Sequence, residues 1–95
     1  MIPHRMSRRA VPHLRALLAA RVRRLRAARG LNRAALAQKC GLHASFVAAV
    51  ERGTQSISLD SLYRLAEALD VLPEALIAGA VTEPAGESEG RQALA

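Results

Sequence analysis

The 95 residues carry 14 basic and eight acidic side chains, for a net charge of +6, with a single cysteine. That length holds one hydrophobic core, and lone Cys40 permits neither an internal disulfide nor a thiolate zinc site with the scattered His4, His13 and His43, so no metal or other cofactor is expected. No apolar run approaches the roughly 18 residues of a bilayer span, and Arg5, Arg8 and Arg9 interrupt any secretory leader. The expectation is a soluble cytoplasmic protein without a membrane partner.

Residues 1–13 hold two prolines and three arginines without a helical period and read as a mobile basic arm. From Leu14 the apolar positions Leu14, Leu18, Val22 and Leu25 fall on one stripe of a first helix that ends near Gly30. Its opposite face is rich in arginine. Asn32 is a good N-cap for a short second helix with Leu36, Ala37 and Cys40 inside, and Gly41 stops it. His43 stands at the cap of a third helix, where it is a weak cap. Val47 and Val50 turn inward there, while Ala44, Ser45, Ala48 and Ala49 share the outer face. Gly53 closes this helix, and Thr54-Gln55-Ser56 forms a polar loop.

Ser58 caps a fourth helix whose Leu59, Leu62, Leu65, Ala66 and Leu69 form a continuous stripe, and Pro73 suits the first turn of a fifth, short helix carrying Leu76 and Ile77. The organisation expected is a domain over 14–79 followed by a disordered acidic tail over 80–95, where Gly, Pro, Glu and Ser replace the apolar pattern. No stretch alternates like a strand. The fold class expected is all-α, with five helices.

Charge is distributed unevenly along this chain. Residues 1–50 contain eleven bases and no acid, and residues 51–95 the other three bases and all eight acids, a split of +11 against −5. A one-sided basic field is the footprint of a polyanion, most often nucleic acid. Only Phe46 and Tyr63 are aromatic, too few rings for base stacking on single strands, so double-stranded DNA is the expected partner. A membrane-surface adaptor is disfavoured because the apolar stripe of the first helix is needed for the core. No Gly-rich phosphate loop, paired carboxylates or Cys–His motif supports an enzyme or a small-molecule ligand.

Two short helices joined by a glycine-containing turn form a helix-turn-helix pattern. The segments Leu25-Arg26, Arg29-Gly30-Leu31, Leu36-Ala37-Gln38-Lys39, Gly41-Leu42, Val50-Glu51-Arg52-Gly53, Ile57-Ser58-Leu59 and Leu65-Ala66 through Ala68-Leu69 then extend the likeness. On these residues the chain resembles the Cro/C1-type (Xre) helix-turn-helix regulators, and is similar in particular to small controller proteins of restriction–modification systems.

The resemblance implies a five-helix, lambda-repressor-like DNA-binding domain acting as a homodimeric transcriptional regulator on a palindromic operator. It implies that Asn32 and Arg33 lie beside a phosphate at the start of the second helix, and that Gln55 and Ser56 touch the backbone across the groove. Many relatives carry Gln at the position of Arg33. Controller proteins have Arg where Ala44 stands, and alanine makes no bidentate bond to a base. Base contact is then left to Ser45, to His43, to the methyl groups of Ala44, Ala48 and Ala49, and to Phe46, which either reads a base or packs at the backbone edge. DNA shape and the basic arm in a minor groove would supply the rest of the specificity.

The resemblance also implies an internal pair between Arg26 and Glu51 that orients the third helix. The apolar residues Val71, Leu72, Leu76 and Ile77 are expected at the dimer interface. The alternatives are an antitoxin or phage-type repressor, and a helix-turn-helix protein-interaction module that has lost its DNA face.

Overall fold

The computed structural model describes residues 2–78, with side chains from Val11 onward. They form four α-helices, α1 (Ile2–Ala28), α2 (Arg33–Cys40), α3 (Ala44–Arg52) and α4 (Leu59–Ala68), and a 3₁₀ turn (Pro73–Leu76). No strand occurs among the described residues. The all-helical expectation holds, but the fifth helix is only this turn. Its bonds run from Ala75 N–H to Leu72 O and from Ile77 N–H to Glu74 O, the tighter spacing of a 3₁₀ segment too short to nucleate an α-helix. The acidic tail expected over 80–95 lies outside the described residues.

The stretch expected as an arm without a helical period is helical from Ile2 onward and forms the first part of α1. Arg, Ala and Met favour helix, and adding residues to a helix already nucleated further on is far easier than starting one. Pro12 sits inside the helix at the loss of one backbone bond.

The inward stripe of α1 is Leu18, Ala19 and Val22, with Leu25 half-buried. Leu18 and Val22 share one core with Leu36, Ala37 and Cys40 of α2, Val47 and Val50 of α3, and Leu62, Leu65, Ala66, Ala68 and Leu69 near the chain's C-terminal side. Full burial of each Leu or Val contributes roughly 1.5–3 kcal/mol, so the seven largest fully buried side chains dominate cohesion.

Two expected apolar roles change. Leu59 does not join the core stripe of α4 and is 82% exposed, whereas Leu76 has no exposed surface and closes the core. Leu76 therefore does not belong to a dimer face. The turn that carries it is tied down by Arg21, which donates from Nη1 to Ala75 O at 2.8 Å and from Nη2 to Ala78 O at 2.9 Å.

Candidate nucleic-acid interface

Local capping determines how α2 and α3 are presented. The Asn32 side chain accepts from Ala35 N–H at 2.7 Å, leaving the first N–H groups of α2 directed outward beyond the cap. Gly41, with φ 73°, ends α2 in the left-handed conformation that L side chains avoid, and Leu42 N–H bonds to Ala37 O at 3.0 Å. The chain then enters α3 through His43, which makes no side-chain cap bond and stays exposed. The result is a helix-turn-helix unit.

Ala44 and Ser45 are exposed at the first turn of α3, and Ala48 and Ala49 are half-buried on the next. Phe46 is half-buried and packs against the protein's own core. After Gly53 the loop is stiffened by its own hydroxyls and amide: Thr54 Oγ1 donates to Ala49 O at 3.2 Å and Gln55 Nε2 to Ser56 O at 3.0 Å.

Behind this surface, Arg26 and Glu51 meet as the resemblance implied. Glu51 is 2% exposed, and its Oε2 accepts from Arg26 Nε at 2.6 Å while Oε1 accepts from Arg26 Nη2 at 3.0 Å. Arg26 also donates to Leu31 O at 2.9 Å, and Arg23 donates to the Glu51 main-chain carbonyl. Arg33 joins the same carboxylate, Nε to Oε1 at 2.9 Å, with its side chain 54% exposed.

Arg33, expected beside a phosphate, is engaged by a carboxylate of the protein itself. It ties the start of α2 to the end of α3, and the sequence signal was that Glu51 is the first acid after eleven bases. Burial pushes the Glu51 carboxyl up, but the hydrogen bonds and charges of Arg26 and Arg33 hold it below the ordinary carboxylate range. The bond to Glu51 in turn raises Arg26 despite burial. Burial pushes the Cys40 thiol up as well, which keeps it a protonated apolar filler.

Sequence reasoning missed Arg15. Its Nη2 donates to Ser56 Oγ at 2.6 Å, linking α1 to the loop after α3.

Residues 22–76 match the helix-turn-helix family model. The chain belongs to the helix-turn-helix family. It is 33% identical over 66 residues to the control protein C.BamHI of Bacillus amyloliquefaciens, covering 68% of this chain and 82% of that protein. Its fold is similar to the restriction–modification controller protein C.AhdI of Aeromonas hydrophila, with a TM-score of 0.64 and 42% identity over 65% of this chain and 94% of the other. It is also similar to the hypothetical transcription factor NHTF of Neisseria, with a TM-score of 0.67 and 34% identity over 86% and 85% of the two chains. No helix among the described residues of this helix-turn-helix protein is long and apolar enough to cross a membrane.

Proposed function

We propose that this DNA-binding helix-turn-helix protein is a homodimeric transcription regulator of the controller type, reading a palindromic operator in the cytoplasm. The observation that carries the reading is the motif's exposed edge. Asn32, Arg33, His43, Ala44 and Ser45 all face solvent on a body whose first fifty residues hold eleven bases and no acid. A helix of this size in the major groove contacts few base pairs, so a two-fold pair of such helices about 34 Å apart supplies affinity and reads a palindrome.

The self-association surface we propose differs from the sequence expectation by excluding Leu76. Leu59 and Tyr63 follow one another on the outer side of α4, 82% and 56% exposed, and Leu72 is 68% exposed. Tyr63, Val71 and Leu72 line one groove, with Ile77 half-buried nearby in sequence. Exposed apolar residues gathered in this way favour a protein partner, and a second copy satisfies the need for two recognition helices.

Duplex binding followed by fluorescence anisotropy at rising salt tests the reading. Log affinity is expected to fall linearly with log salt, with a slope near −0.9 for each phosphate neutralised. Affinity that stays constant from low to moderate salt would refute DNA binding through this face.

Selection from a random duplex pool tests the reader. Ser45→Ala is expected to change the preferred sequence, because the Ser45 hydroxyl is the polar group on the exposed first turn of α3. Arg33→Ala is expected to lower affinity for all sequences alike. An unchanged preference with Ser45→Ala would remove Ser45 from the base contacts.

A further inference from the structure

The contact between Arg15 and Ser56 joins a residue outside the family's matched segment, which begins at Val22, to one within it. It depends on how α1 abuts the corner between α3 and α4. Gly53 has φ 76°, and a Cβ placed there would lie 3.7 Å from the Arg15 carbonyl and 3.8 Å from Ala16 Cα. The helix backbone is therefore seated directly against the end of α3, which brings the Arg15 side chain to the loop.

The charges of the other contacting arginines are engaged differently. Arg26 and Arg33 share Glu51, and Arg21, Arg23 and Arg64 donate to main-chain carbonyls. Arg15 has no carboxylate partner among the described residues; its Nη2 meets a neutral hydroxyl, and its buried Nε meets no acceptor. A cation held this way retains its full charge for an outside anion. The bond also determines what Ser56 can do. With Oγ accepting from Arg15, the hydroxyl hydrogen is free to donate, and the adjacent positive charge strengthens that donation toward an anionic acceptor.

We propose that Arg15 and Ser56 together form a phosphodiester clamp: Ser56 donates to a backbone oxygen of duplex DNA, and Arg15 polarises it and neutralises that phosphate. The clamp rests on the DNA-binding reading above. It adds a grip from the N-terminal half of α1, on the side of the recognition helix away from the start of α2.

Anisotropy titrations of a fixed duplex over a salt series test it, with circular dichroism melts of every variant. Arg15→Ala is expected to bind about tenfold more weakly and to lose about one phosphate from the salt slope. Ser56→Ala alone is expected to cost about threefold, the size of one hydrogen bond. The double variant should lose less than the product of the two single losses, because both groups serve one phosphate and Arg15 strengthens the Ser56 donation.

Arg15→Lys preserves the charge and the stem, so it should keep the wild-type slope. If Arg15→Ala melts early, this variant decides: a slope as low as that of alanine overturns the clamp in favour of a merely structural role. Arg24→Ala removes the same charge from the opposite side of α1, about two and a half turns further on, and should leave the slope unaltered. Wild-type protein that binds with the expected salt dependence while Arg15→Ala binds equally well overturns the clamp alone. Wild-type protein that does not bind duplex overturns both the clamp and the reading on which it rests.

Discussion

Replacing Glu51 by alanine is expected to lower the unfolding free energy by about 3–5 kcal/mol, the usual consequence of breaking a buried ion pair. Against a total of roughly 5–15 kcal/mol for a domain of this kind, that leaves a marginal fold. The loss is large because Glu51 receives Arg26 through two bonds and Arg33 through one, so its removal leaves Arg26 largely buried without a carboxylate partner. Arg33→Ala should cost far less, since its side chain is half-exposed and the Glu51 carboxylate keeps both bonds from Arg26.

The pH dependence follows from the same site. The folded carboxyl is held below its ordinary value of 4.5, so its contribution is present above that pH and is lost as pH falls through the lower folded value. Urea melts at pH 7 and at descending acid pH should show wild-type stability falling below pH 4.5 more steeply than that of Glu51→Ala. A loss below about 1 kcal/mol at neutral pH, on the scale of an exposed pair, would show that the carboxylate does not hold α3 in place.

The second large effect separates two leucines four residues apart. Leu76 has no exposed surface, so even Leu76→Ala should cost about 2–5 kcal/mol, and Leu76→Asp adds an unpaired charge to the core. The aspartate variant is expected to be unfolded at room temperature. Leu72 is 68% exposed, so Leu72→Asp should keep the wild-type melting curve to within about 0.5 kcal/mol while losing self-association in sedimentation. Its binding to a full palindrome should fall much more than its binding to a half-site. A folded Leu76→Asp protein would contradict the closed core, and a Leu72→Asp protein that still dimerises would move the interface elsewhere.

These two residues show what could be read in advance. Both are leucines in an apolar cluster near the end of the pattern, and nothing in Val71-Leu72-Pro73-Glu74-Ala75-Leu76 distinguishes the one that turns inward. That choice depends on the tightness of the turn after Pro73 and on Arg21, more than fifty residues earlier, which fastens it to α1. Leu59 was misassigned for a related reason. It stands at the first position of α4, where a stripe read by period continues but the body of the protein does not.

The same limit applied at the N-terminus. Composition and two prolines suggested an arm over residues 1–13, yet local period does not reveal that a helix nucleated downstream can extend back through them.

The sequence by itself determined the parts governed by neighbours along the chain. These are the caps Asn32 and Ser58, the stops Gly41 and Gly53, and the inward residues Leu36, Val47, Val50 and Leu65, together with the helix-turn-helix order they impose. Each is governed by backbone conformation or helical period, and both are local. Only the tertiary structure decided that Arg33 would share Glu51 with Arg26, that Arg15 would reach Ser56, and that Leu76 would lie within the core. Those contacts join residues from different helices, and their partners were settled by how the helices pack.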